Sequence, residues 1–152
     1  MINWDEFEHI HVIRKLKHIL NAWWNIDIVF TDERGTFKGF DSQKIPFANG
    51  AIQSLLQKET AQHSLTELVT KSIDDLRVSE NRYSIRKWDM TGFDVGIFPI
   101  MIEHDMVGTV VALGFFKDEN FSIKLSEIRD RFAAFGFSSD AIEASLAKFK
   151  YL

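Results

Sequence analysis

Apolar residues recur at helical spacing near the start of the chain. From about Asp5 to Trp24 they follow one another every three or four positions, which predicts an amphipathic helix. They are Ile10, Ile13, Leu16, Leu20, Trp23 and Trp24. Val12 and Ile19 lie outside this stripe, so the apolar surface is wider than one packed face needs. The extra width indicates either contact with a partner subunit or burial on two sides within one chain.

Five later segments are rich in β-branched and aromatic residues, which is typical of strands. They cover residues 26–31, 36–40, 82–88, 93–102 and 106–116. The first two predict a hairpin around the turn Asp32–Gly35. The other three predict a meander that turns first at Asp89–Gly92.

Helical patterns separate the hairpin from the meander and also follow it. The expected helices cover residues 49–58, 64–77, 122–135 and 139–149, and either Ser139 or Ser138 starts the last of them. Ser64 and Glu67 form the capping-box pattern at the start of the second, and Gly136 ends the third. The resulting order of elements predicts an α+β fold with a five-stranded antiparallel sheet in the strand order 2-1-5-4-3. No linker or repeat divides the sequence, so residues 1–152 are expected to form one domain.

The last two strands are long and almost wholly apolar, so both faces of the sheet should be covered. Pairing them around residues 103–105 places Asp94 opposite Phe115 and Phe98 opposite Val111. One face would then carry Asp94, Gly96, Phe98, Ile100, Thr109, Val111, Leu113 and Phe115. The opposite face would carry Val110 and Ala112 between two glycines, and this stripe of small residues would let the terminal helices approach closely.

Asp94 is the one carboxylate in the strand 93–102. A buried carboxylate needs a donor, a raised pKa or a ligand, unless Asp94 is solvated near the strand end. Trp88 and Phe47 are candidates for the wall and lid of a cavity beside it, or they are ordinary packing residues. The predicted ligand-binding residues are Asp94, Phe98, Thr109, Phe115, Trp88 and Phe47. Apolar walls with a few polar groups suit a small, largely apolar molecule.

Composition excludes several other kinds of function. With 18 Lys and Arg against 22 Asp and Glu, the net charge of −4 argues against a nucleic-acid binder. The absence of cysteine excludes disulfides and thiolate metal sites, and the five histidines do not fall together in a metal-binding pattern. Phosphate-binding and hydrolase motifs are missing, as are a signal peptide and an apolar run that could span a bilayer. We therefore expect a cytoplasmic protein that is not an enzyme and has no cofactor or metal.

Four segments resemble the sensory domain family named after the regulator PocR, whose fold is of the PAS/GAF type. They are residues 24–35 (WNIDIVFTDERG), 92–100 (GFDVGIFPI), 107–114 (VGTVVALG) and 135–144 (FGFSSDAIEA). The resemblance implies a bacterial sensor for a small, hydrocarbon-derived molecule, acting on a downstream signalling or transcription-activating domain or protein. Many members carry cysteines after the second strand. This chain has none, so thiol chemistry is not expected.

These observations support one functional hypothesis and one alternative. In the first, a small effector binds between the face with Asp94 and Phe115 and the helices of residues 49–77, and the terminal helices relay binding. A homodimer through the N-terminal helix is expected. In the alternative, the domain is a degenerate PAS/GAF-like module that binds no small ligand and serves dimerisation or protein docking. A polar-lined cavity would favour the first hypothesis, and a core filled by Phe rings would favour the second.

Overall fold

A computed structural model describes residues 11–24, 26–38, 50–79, 81–115 and 121–146 of the chain. Its strands form one five-stranded antiparallel sheet in the order β2-β1-β5-β4-β3, which confirms the predicted α+β fold with flanking helices. The strands are β1 (Asp27–Asp32), β2 (Phe37–Lys38), β3 (Ser84–Lys87), β4 (Asp94–Ile102) and β5 (Asp105–Phe115). The helices are α1 (His11–Trp24), α2 (Gly50–Leu55), α3 (Glu59–Val78), α4 (Phe121–Ala134) and α5 (Ser139–Leu146).

The inner face of the sheet packs against helices α2 to α5. It contributes Val29, Ile97, Val111 and Leu113 to the main core. The helices contribute Ile52, Leu55, Leu65, Val69, Ile73, Ile128, Phe132, Ile142 and Leu146. Burying each such large side chain stabilises the fold by about 1.5–3 kcal/mol before entropy is counted.

The outer face of the sheet packs against α1. A second cluster of Ile26, Ile28, Phe30, Ala112 and Phe115 contacts Leu20 of this helix. The Lys17 ammonium lies 5.3 Å from the centre of the Phe30 ring. The N–H of Ile26 donates to the carbonyl of Leu20 at 3.0 Å, which ties the helix end to the first strand.

The predicted register of β4 and β5 is correct at one end and wrong beyond it. Asp94 lies opposite Phe115 as predicted, but Gly96 lies opposite Ala112 and Phe98 opposite Val110. The shift begins between Asp94 and Gly96, because β5 holds one extra residue there. Gly114 adopts the φ of 89° that such a bulge requires.

This bulge changes which residues share a face. A slip of one residue moves every following side chain to the other side of the sheet. Thr109, Val111 and Leu113 therefore lie on the inner face, whereas Phe98 and Ile100 lie on the outer face. The prediction that the terminal helices pack on Val110 and Ala112 is also corrected, because these residues share the outer cluster with Leu20 of α1, whereas α4 and α5 pack on the inner face.

Helix α3 begins earlier than its capping-box pattern predicts. It starts at Glu59, after the extended residue Lys58, which makes no side-chain cap. Ser64 therefore lies inside the helix. The start of α5 agrees with prediction, since the Ser138 hydroxyl accepts the N–H of Ala141 at 3.2 Å. No helix in these ranges is long and apolar enough to cross a membrane.

Candidate functional site

Three of the six predicted ligand-binding residues meet on the outer face. Phe98 and Phe115 close over Gly96, where an added Cβ would lie 2.8 Å from Phe98 Cε2 and 3.4 Å from Phe115 Cζ. Phe115 is buried in the outer cluster that Leu20 of α1 joins, whereas Phe98 is 40% exposed. Asp94 lies opposite Phe115 in the ladder and is half-buried. The two rings fill the space above Gly96, so the face predicted to hold a ligand is packed at this point.

Thr109 and Trp88 lie on the inner side, so the prediction that Thr109 shares a face with Phe98 is wrong. The Thr109 hydroxyl lies 2.5 Å from that of Thr31 within the core. The indole N–H of Trp88 donates to the Ser64 hydroxyl at 3.0 Å. The Thr109 hydroxyl is thus paired with a second hydroxyl in the core, and the Trp88 indole is paired with a residue of α3. Buried polar groups usually have such hydrogen-bond partners. Phe47 lies outside the described residues.

An open groove of about 750 Å³ lies where α3 ends beside the β4–β5 hairpin, and we call it the end groove. Its floor is apolar and consists of Leu76, Pro99, Met101 and Met106. Its rim is polar and consists of Arg77, Ser79, Asn81, Arg82, His104 and Asp105. Leu76 belongs to the main core, and Met106 packs against that core. The floor is therefore the solvent-exposed end of the layer between the sheet and α3.

The end groove exists because β4 is longer than its neighbour. Strand β3 begins at Ser84, opposite Ile97, so β4 continues beyond it without a partner on that edge. Pro99 suits this position because it has no N–H to leave unpaired. Met101 lies opposite Met106, which places both side chains on the same face. Nothing in the sequence pattern indicated that this uncovered edge leaves a groove.

The charged residues of the rim have few partners among the described residues. Arg77 Nη2 donates to the carbonyl of Glu33 at 2.8 Å, which holds α3 against the β1–β2 turn. Within the described residues, neither Arg77 nor Arg82 lies within ion-pair distance of a carboxylate. Asp105 at the hairpin tip has no cationic partner there either. The rim therefore carries two guanidinium groups and one carboxylate, all accessible to solvent.

A second, smaller groove of about 430 Å³ lies between α3 and β3. Trp88, Ser64 and Leu68 line it together with charged side chains. Trp88 is itself only 1% exposed, so it forms part of the wall while its ring belongs to the core. Lys87 on this wall pairs with Glu127 of α4, and Arg86 pairs with Asp75 of α3. Two of the cations that line this groove are therefore already paired, and its apolar lining is limited to Leu68 and Trp88.

The described ranges contain no group of three or more His, Asp or Glu side chains that could hold a metal ion. No model of a protein family matches the chain, and neither a curated protein nor a solved structure matches it. The geometry of the end groove is therefore the main basis for a functional proposal.

Proposed function

We propose that the chain is a PAS/GAF-like, non-enzymatic sensory module that binds a small, largely apolar molecule in the end groove. The observation that carries the proposal is the apolar floor, where the core layer opens to solvent at Leu76 and Met106. The groove lies at the end of the layer between the sheet and α3, whereas the face with Asp94 and Phe115, which was predicted to meet the helices of residues 49–77, lies on the other side of the sheet. Ligand pockets of this size class typically combine apolar walls with a few polar groups. The module would act in the cytoplasm as part of a bacterial signalling or regulatory protein.

The relay in this proposal runs through α3. Leu76 and Arg77 line the groove, while Leu65 and Val69 of the same helix pack in the core with α4 and α5. Phe132 of α4 contacts Phe93 edge to face, with ring centres 6.2 Å apart. If the ligand has a higher affinity for one placement of α3 than for another, its binding would favour that placement. The helices that share the core with α3 would then shift as well. A downstream domain or protein would read that shift.

Two single substitutions at adjacent residues test whether the end groove binds ligands. Met101 and Ile102 are each 51% exposed, but Met101 lines the groove and Ile102 lies on the outer face. Small amphiphiles would be screened by thermal shift, because a ligand that binds the native state raises the melting temperature. The ligand should still stabilise the Ile102→Gln variant as it does the wild type. Its affinity for the Met101→Gln variant should be several-fold lower. If no compound stabilises the protein, or if every hit survives in Met101→Gln, the groove is not the ligand site.

A second function, as a dimerisation or docking module, is favoured by a different observation. Tyr83 and Phe98 on the outer face stack with ring centres 5.8 Å apart, and both are at least 40% exposed. Ile102 continues this apolar strip, which we call the outer strip. Exposed apolar patches of this kind often mark interaction surfaces. Failure of the ligand screen together with stable self-association would support this function instead.

A further inference from the structure

We propose that the end groove selects an organic oxyanion, a carboxylate or phosphate head on a short aliphatic or aromatic body. This inference rests on the proposed function and specifies its ligand class. It follows from the placement of two guanidinium groups above an apolar floor, and it differs from the prediction of a small, largely apolar molecule bound beside Asp94.

The arginines of the rim differ from most others in the described ranges. Arg86 pairs with Asp75, Arg129 with Glu143 and Arg131 with Glu127. Arg77 and Arg82 have no such carboxylate among the described residues, although both stand beside the mouth of a groove. A guanidinium group forms its strongest contacts with a carboxylate or phosphate, often through two parallel hydrogen bonds. An anionic ligand would supply the partner that the described residues do not.

The rim also indicates where the head group would lie. Arg77 already uses one N–H on the Glu33 carbonyl, so its side chain is held in place with other donors still available. Asn81 adds a neutral donor near Arg82. Asp105 belongs to the side of the rim formed by the β4–β5 hairpin and would repel an anion. The head group should therefore lie towards Arg82 and Asn81, away from the tip.

The floor accounts for the body of the ligand. Pro99 and Leu76 are rigid or buried, whereas Met101 and Met106 have flexible side chains that adapt to irregular apolar shapes. A neutral molecule with the same body would bury the floor but leave the guanidinium groups without a counter-charge. A small anion without the body would contact the arginines only in solvent, where such contacts are weak. Both parts of the ligand are needed.

Four probes separate these contributions: octanoate, octyl phosphate, 1-octanol and acetate. Each would be titrated into the full chain while the backbone amides of Asn81, Arg82 and Met106 are followed by NMR. We expect saturable shifts with octanoate or octyl phosphate, and at least tenfold weaker binding of 1-octanol and acetate. The stronger of the two anions identifies the head group. The Arg82→Gln substitution should lower the affinity for the anion by about tenfold, since a charged hydrogen bond is lost.

Arg34→Gln is the matched control, because Arg34 is an exposed arginine in the β1–β2 turn and does not line the groove. It should bind octanoate as the wild type does. If 1-octanol binds the groove as tightly as octanoate and Arg82→Gln has no effect, the oxyanion inference is wrong while the proposed sensor function stands. If none of the probes shifts the groove amides, both are wrong. Equal weakening by Arg34→Gln would indicate a general charge effect and also overturn the inference.

Discussion

Gly35 and Gly136 share a backbone conformation but have different surroundings. Their φ angles are 86° and 88°, in the left-handed region that disfavours other residues. A Cβ at Gly35 would lie 3.0 Å from Thr70 Oγ1 and 3.5 Å from Ile73 Cδ1, both on α3, whereas a Cβ at Gly136 would meet nothing within 4 Å. The turn between β1 and β2 is therefore packed closely on the helix, while the space beside Gly136 is open.

Alanine substitutions at these two glycines should separate backbone strain from steric overlap. Both should destabilise the fold by about 1 kcal/mol through the unfavourable φ. Gly35→Ala should lose a further 1–2 kcal/mol, roughly, because Thr70 must move. Urea denaturation followed by tryptophan fluorescence measures the difference. Equal losses in the two variants would show that the turn does not press on α3.

The roles of Ser64 and Trp88 could not be assigned from their local sequence. Ser64 fits a helix cap and Trp88 a cavity wall when each is considered with its neighbours alone. The structure joins them by a hydrogen bond of 3.0 Å, and the cap falls inside α3. The indole N–H needs a partner once the ring is buried, and this long-range demand outweighs the local capping preference.

At the scale of elements, strand order and pairing were predictable, whereas the faces of the last hairpin were not. Short turns and long apolar segments indicated which strands are neighbours, and Asp94 opposite Phe115 was correct. The bulge in β5 then moved Thr109 away from Phe98. Gly114 was the available signal, because a glycine within a strand often marks a bulge. Without the bulge position, a pattern with period two cannot assign the face.

The end groove also arises from elements rather than from a motif. Its residues come from the end of α3, the segment after it and the β4–β5 hairpin. None of them has a spacing typical of a binding site. Only the difference in length between β3 and β4 brings them together.

The contact between β3 and α4 predicts a pH dependence of stability. The pKa of Glu127 lies below the ordinary value of 4.5. The main cause is the hydrogen bond from the Lys87 ammonium, and the charges of Lys87 and Arg131 lower the pKa further. Because this pKa is lowered on folding, the ion pair stabilises the native state above the unfolded pKa. That contribution is lost as the pH falls through the folded pKa.

The unfolding free energy should therefore decrease below about pH 4.5, and Glu127→Gln should remove part of that decrease. The effect should be at most about 1 kcal/mol, because the pair lies near the surface. Urea denaturation between pH 3 and 7 measures it. Glu103→Gln, at the exposed hairpin tip, controls for the removal of one carboxylate. If the two variants have the same pH profile, Glu127 does not couple the strand to the helix.

At the scale of the molecule, the two faces of the sheet are covered unequally. Among the described residues, helices α2 to α5 pack on the inner face, whereas α1 packs against the outer cluster through Leu20. The outer strip is left exposed: Tyr83 lies just before β3, and Phe98 and Ile102 lie on β4. Leu16 and Ile19 of α1 are also exposed, at 42% and 48%. The predicted wide apolar surface of this helix is therefore not fully used within one chain.

These two exposed surfaces carry the last prediction, a homodimer through α1. A two-fold interface must bring the same surfaces together from both copies, and in this arrangement Leu16 and Ile19 of each copy contact the outer strip of the other copy. Light scattering at micromolar concentration should then give twice the chain mass of 17.6 kDa. Ile19→Glu should yield a monomer, because it would bury an unpaired charge in the interface. Thr60→Glu, exposed on α3 away from this face, should remain dimeric. A wild-type protein that stays monomeric would rule out this interface and with it the docking alternative based on self-association.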